Sequence, residues 1–318
     1  MRKKFYLVLD TETATLPFAD SLAKDAKQKQ KIAIAKPLVY DIGWVIIDRQ
    51  GNIVKRVNYL VQETFFVPNI FNTAYYKEKR PIYIDLLEKG SIKADTWKNI
   101  IDELVEDLNA CDLVSAYNAC FDFKKAIPFT ERYIYHLYRT DYNYWEQGQK
   151  KHCEKLLKGA QDDDEKNPDY LKPFFKLRGV EYPLADLWGI ACTKLINIDK
   201  YRNYCLDNDL ITASAIYFKS SAETSFQYLM HDYDFIENHT ALSDAEIESA
   251  ILTKALKKGK VAPEIVAFPF RNLGTTYEYA ERKPKYLNKV RAALEEYLDT
   301  LTEGSTQHTK ISNILYSL

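Results

Sequence analysis

"FYLVLDTETATL", Phe5 to Leu16, is the stretch on which the fold turns. A run of almost unbroken apolar residues ends in two carboxylates, Asp10 and Glu12, one residue apart. Side chains alternate faces along a strand, so these two project to the same side. Like charges held that close repel each other unless something positive sits between them. A solvated turn after a buried strand has the same look, and the rest of the chain has to decide.

The whole chain sets bounds. Its 318 residues are 46% apolar and 28% charged, the composition of a globular protein with a substantial core. Lys plus Arg (44) nearly balances Asp plus Glu (45), so any grip on a polyanion must come from local clustering or bound metal. The five Cys are scattered without C-x-x-C spacing and read as reduced thiols of a cytoplasmic protein. No segment approaches the length of a membrane span. The N-terminal apolar run is too short for a signal sequence and reads as the first strand.

Outward from that strand the pattern alternates between strand and helix. "YDIGWVIID", a turn at "RQGN" and "IVKRVNYLVQE" read as a hairpin. "TWKNIIDELVEDLNAC" has helical spacing, with Asp95 or Thr96 as N-cap. "DLVSAYN" is a short buried strand, and "FDFKKAIPFTERYIYHLYR" a helix that Pro128 should kink or restart. Residues 140–183, with the charge run "QDDDEKNPD", read as an insertion. "YPLADLWGIACTKL" resumes strand-to-helix character; "ITASAIYFKS", "SAETSFQYLM", "DAEIESAILTKALKKG" and "PKYLNKVRAALEEYLDTLTEG" read as helices. The class is α/β.

Two further acids sit at element ends. Asp122, in "SAYNACFDF", lies in the first turn after a strand; Asp244, in "HTALSDAEIE", lies near the start of a helix, with His239 five residues before it. Singly, each acid is what a helix cap looks like. Together, four carboxylates on three element ends are suited to converge at one sheet edge. Without Arg or Lys in the same motifs they call for divalent cations. All-oxygen ligands favour Mg²⁺ or Mn²⁺ over zinc. Two such ions are a standard device for in-line phosphoryl displacement, and His239 supplies a base that titrates near neutral pH.

"LVLDTETATL", "SAYNACFDF" and "HTALSDAEIE", in that order, resemble the DEDDh class of 3′-to-5′ exonucleases, which includes the proofreading exonucleases of replicative polymerases. The third resembles the H-x-A-x-x-D signature, with Ala241 and Asp244 in register. The hairpin from Tyr40 to Val61 and the Asp186 region also look like family elements. The resemblance implies a ribonuclease H-like mixed sheet flanked by helices over residues 1–259, with the 140–183 insertion, and leaves 260–318 as a C-terminal extension. It implies that Asp10, Glu12, Asp122 and Asp244 hold two Mg²⁺ or Mn²⁺ ions and that His239 takes the proton of the attacking water. It further implies that the Thr13 and Ala14 backbone faces the 3′-hydroxyl, that Leu16 wedges against the terminal base and that Asn118 lines the nucleotide site. Where the family usually has Gly before the wedge, this chain has Thr15.

The implied reaction is hydrolytic release of nucleoside 5′-monophosphates from nucleic acid 3′ ends, with single-stranded DNA favoured. An exoribonuclease of the same family and a non-catalytic nucleic-acid-binding module are the alternatives. A phosphatase of the haloacid dehalogenase type would want Asp as the second acid and leaves "HTALSD" without a purpose. Lys24, Lys27, Lys29, Lys31 and Lys36 follow the first motif and are candidates to track phosphates. Tyr133, Tyr135, Tyr138, Tyr142, Tyr144 and Trp145 are candidates either to stack bases or to pack the core.

Overall fold

The computed structural model describes residues 4–16, 36–139 and 169–318. Contacts divide the chain into two compact units, one of Met1–Leu187 with Glu237–Ile265, the other of Trp188–Ile236 with Val266–Leu318. Of the residues expected as a C-terminal extension, 260–265 group with the first unit and Val266–Leu318 with Trp188–Ile236.

The first unit holds a seven-stranded mixed sheet flanked by helices, as the α/β reading requires. Its strands are β1 (Phe5–Ala14), β2 (Leu38–Asp48), β3 (Ile53–Val61), β4 (Lys93–Asp95), β5 (Leu113–Ala116), β6 (Phe174–Leu177) and β7 (Val180–Asp186), in spatial order β4-β3-β2-β1-β5-β7-β6. β1, β2 and β3 form an antiparallel meander, while β5 and β7 run parallel to β1. At the β2–β3 turn the Asp48 carboxylate accepts from the N–H groups of Gln50 and Asn52, and Gly51 takes φ +89°, the conformation that favours glycine. Only residues 140–168 of the expected insertion lie outside the described residues. The rest of it folds back as the β6–β7 hairpin, so this part belongs to the sheet.

Every residue of β2 but Asp48 is buried, because both faces of the sheet are covered. On one face Leu7, Leu9, Ile42, Trp44 and Ile46 pack with Ile100, Ile101 and Leu104 of helix α1 (Trp97–Ala110), which Thr96 caps by accepting from the Asn99 N–H. The Trp44 indole N–H donates to Asp107 at 2.8 Å. After β5 a short helical turn leads through a π turn, Asp122–Ala126, into α2 (Ile127–Arg139). Pro128 has no N–H to give the previous turn, and the wider π turn before it absorbs the mismatch. Helix α3 (Ala241–Lys258) lies over β1 and β2 on the opposite face and ends at Gly259.

The second unit is mostly helical, with helices at Ile198–Asp207, Ala222–Met230, Thr276–Arg282, Leu287–Asp299 and Thr306–Ser317. "ITASAIYFKS" is not helical as expected; an antiparallel bridge between Ile211 and Phe218 closes it into a tight turn, with the Thr212 N–H donating to the Tyr217 carbonyl. Among the described residues no helix is long and apolar enough to cross a membrane.

Candidate active site

The opening pair is placed by the β1–β2 register. Asp10 stands opposite Gly43, and Glu12 stands opposite Asp41. Directly opposed residues of antiparallel strands share a face. Gly43 shows which face this is: a Cβ built on it would lie 2.3 Å from the Leu242 backbone nitrogen, so it points at the start of α3. Asp10 and Glu12 therefore project towards α3. Glu12 and Asp41 form a like-charged cross-strand pair, an arrangement that costs stability unless it is used.

The start of α3 is fixed from the sheet. Its N-cap residue, Thr240, makes no side-chain cap bond; Asp41 Oδ2 instead accepts the Ala241 N–H at 2.9 Å, while Asn58 donates to Asp41 Oδ1 at 2.7 Å. Asp244 follows in the first turn and Glu248 one turn later, neighbours on one helix surface. Both are buried, and Asp244 Oδ1 has no hydrogen-bond partner.

Asp122 arrives from the other side of β1. The chain leaves β5, turns at Asn118 with φ 66°, and enters the helical segment that carries Asp122. Thr11 Oγ1 donates to Asp122 Oδ1 at 2.6 Å, tying that acid to the residue between Asp10 and Glu12. His239 precedes α3 in a left-handed conformation, φ 50°, a strained backbone state for a residue with a side chain. Its ring stacks on Tyr76 at 4.6 Å, and its Nδ1 lies 3.3 Å from the Glu237 carboxylate. Glu12, His239 and Asp244 present ligand atoms that all lie within 4.8 Å of one another.

The electrostatics record the crowding. Burial, then the charges of Asp122, Glu248, Asp244 and Glu12, hold Asp10 well above the ordinary carboxylate range. Burial beside Asp244 and Asp41 pushes Glu12 up to about 9. Burial beside Glu237 and Asp41 pushes Asp244 to about 8. Asp122 rises to about 7, chiefly through burial, against the Thr11 hydrogen bond that lowers it. Lys79 lowers both Glu12 and Asp244 without cancelling the rise. Such a set fits divalent cations: oxygen donors of one sign, raised by burial and by neighbouring acids, with one buried oxygen of Asp244 unpartnered. Asp10, Glu12, Asp122 and Asp244 are the residues that could hold them.

Comparison of the chain with protein-family models, with curated proteins and with solved structures finds no match. The functional reading rests on the residues themselves. Of the five expected centre residues, Glu12, His239 and Asp244 form one cluster, and Asp10 feels the charges of Asp122, Asp244 and Glu12. The expected substrate residues are less uniform. Asn118 is exposed and its side chain makes no cap bond. Thr13 is half-buried and Ala14 buried, both paired with β2 beyond a register shift. Leu16 is fully buried in the core cluster, so its side chain packs inward rather than standing out as a wedge. Thr15, where the family has Gly, donates its N–H to Thr73 Oγ1 and accepts from it through its carbonyl, at 2.9 and 3.1 Å.

Of the flanking candidates, Lys24, Lys27, Lys29 and Lys31 lie outside the described residues, as do Tyr142, Tyr144, Trp145 and the Tyr138 side chain. Lys36 lies 5.2 Å from the Phe129 ring centroid. Tyr133 is buried in the core, whereas Tyr135 is exposed. Sequence reading missed Asp41, Glu237 and Glu248. Asp41 had a signal, a lone acid inside an unbroken apolar strand; Glu248 had another, an acid four residues after Asp244.

Each raised acid binds its proton more tightly in the folded chain than in the unfolded one. The stability these protons contribute is complete below the ordinary carboxylate range, about pH 4, and is lost as pH rises through the folded values of about 7 to 9. Chelator-treated protein should therefore melt several degrees lower at pH 9 than at pH 5, and Mn²⁺ should restore most of the loss. A melting temperature that rises across this window would contradict the buried cluster.

Proposed function

We propose that the chain is a metal-dependent 3′-to-5′ exonuclease that releases nucleoside 5′-monophosphates from single-stranded nucleic acid, DNA foremost. The observation that carries this reading is the meeting of Glu12 with His239 and Asp244, from segments remote in sequence, with Asp10 close enough to feel the charges of Asp122 and Asp244. The mixed sheet, with its β1–β2–β3 meander and parallel β5 and β7, is compatible with the ribonuclease H-like fold that the resemblance implies.

Two divalent ions, Mg²⁺ or Mn²⁺, would supply charge neutralisation at the scissile phosphate and a water made acidic enough to ionise near neutral pH. Asp10, Glu12, Asp122 and Asp244 would hold them. The Glu237 carboxylate beside Nδ1 of His239 favours the tautomer that keeps the accepting lone pair on Nε2, the atom that would take the water's proton. The ring is kept in place by its stack on Tyr76. Asn118, exposed at the turn before Asp122, would meet the terminal nucleotide on this reading.

The test is digestion of 5′-labelled single- and double-stranded DNA and RNA with Mg²⁺ or Mn²⁺. The expected product is a ladder shortening from the 3′ end, fastest on single strands, and the same gel reads the sugar preference. Intact substrate under every condition would overturn the proposal. His239→Ala should slow turnover about 10²-fold, in line with loss of a general base. Its Mn²⁺ affinity should stay within a few-fold of the parent; unchanged turnover would remove His239 from the reaction.

A further inference from the structure

Two buried carboxylates outside the proposed ligand set close on the same short turn. Glu248, on α3 and only 2% exposed, accepts the Tyr117 N–H at 3.0 Å. Asp186, at the end of β7 and 4% exposed, accepts the Asn118 N–H at 3.0 Å and the Ala119 N–H at 3.4 Å through one oxygen. Three consecutive backbone donors are thus satisfied from two other elements. They sit where a helix begins, the place where N–H groups have no partner within the helix. The usual remedy is the side chain of the N-cap residue, here Asn118, yet that side chain makes no cap bond.

The turn these acids hold is strained and consequential. Asn118 adopts φ 66° and ψ 48°, a left-handed state that Asn tolerates but that surrounding contacts must maintain. Asp122 follows one helical turn later, so the angle at Asn118 sets where that carboxylate points. Because the cap comes from Asp186 and Glu248, the Asn118 amide is released for other contacts.

We infer that Asp186 and Glu248 are a pair of positioning residues that lock the Tyr117–Asn118–Ala119 turn, aiming Asp122 at the centre and freeing Asn118 to meet the nucleotide. The catalytic part of this inference rests on the exonuclease reading; the locking of the turn does not. A position about 1 Å wrong costs roughly 10²-fold in rate, which sets the expected scale.

The experiment compares the full chain with Glu248→Gln, Glu248→Ala, Asp186→Asn and Asp186→Ala. Hydrogen exchange is read at the amides of residues 117–119, Mn²⁺ binding by calorimetry, and digestion of single-stranded DNA as kcat and KM. Gln and Asn keep an accepting oxygen without the charge, so these variants should retain amide protection and turnover within about threefold. Glu248→Ala should speed exchange at Tyr117 alone, and Asp186→Ala at Asn118 and Ala119, by at least tenfold. Both Ala variants should lose about 10²-fold in kcat, and Asp186→Ala should also raise KM. Unchanged exchange in the Ala variants would overturn the inference. So would a Gln or Asn variant that folds and keeps its amide protection yet loses Mn²⁺ binding and turnover, because charge rather than position would then matter. If an Ala variant does not fold, the conservative variants still decide by that criterion. If the parent digests nothing, the exonuclease reading fails while amide exchange and Mn²⁺ affinity still judge the lock.

Discussion

Asp10→Asn should abolish measurable digestion and at the same time make the chelated protein more stable. The two effects have one cause. Asp10 is raised by burial and then by the charges of Asp122, Glu248, Asp244 and Glu12. Its charge is an asset only when cations share it; without them it is a source of repulsion. Asn keeps the shape and one accepting oxygen, so packing is spared. Loss of a shared anionic ligand should cost on the order of 10³-fold in turnover, equivalent to about 4 kcal/mol. The melting temperature in chelator at pH 8 should rise by several degrees, and the stabilisation by Mn²⁺ should largely disappear. A variant that digests normally would end the two-ion reading. One that loses activity but melts lower in chelator would mean that Asp10 supports the fold instead.

Gly43→Ala should be nearly as damaging, although Gly43 carries no functional group. Its φ is not positive, so the substitution imposes no backbone strain. The obstacle is space. A Cβ there would lie 2.3 Å from Leu242 N, 2.5 Å from Leu242 Cα and 2.6 Å from Ala241 C, all backbone atoms that cannot rotate away. The start of α3 must then lift by about 1 Å to reach ordinary contact. Asp244 would move with it, and the Asp41 bond to the Ala241 N–H would stretch. Turnover should fall about 10²-fold and stability by about 1–3 kcal/mol. Normal activity with an unchanged melting temperature would show that the approach of helix to strand is not what sets Asp244 in place.

The candidate centre was legible because acids interrupt or follow apolar runs there, although β1 continues past Asp10 and Glu12 to Ala14. Asp10, Glu12, Asp122 and Asp244 could be found that way, His239 by its place five residues before Asp244, and the β2–β3 hairpin from "RQGN" between two β-branched runs. Asp41 was harder to read, because its use depends on a residue 200 positions later. Glu248 reads as an ordinary helix acid until the Tyr117 N–H is seen against it. The β6–β7 hairpin was masked by the charged text before it, and local composition outweighed the short apolar alternation. Leu16 shows the limit of transferring a role by position: Thr15 stands where the family has Gly, and here its backbone is tied to Thr73, with Leu16 turned into the core.

Helix starts capped from a distance change when the chain can become reactive. The Asp41 bond to Ala241 spans 200 residues, the Glu248 bond to Tyr117 spans 131, and the Thr11 bond to Asp122 spans 111. The first two cannot form until α3 exists, and α3 is complete only at Lys258. During synthesis the first two acidic motifs emerge long before their partners, and loop-closure entropy keeps them apart until then. A growing chain therefore carries Asp10, Glu12 and Asp122 well before the helix start that brings Asp244 beside Glu12.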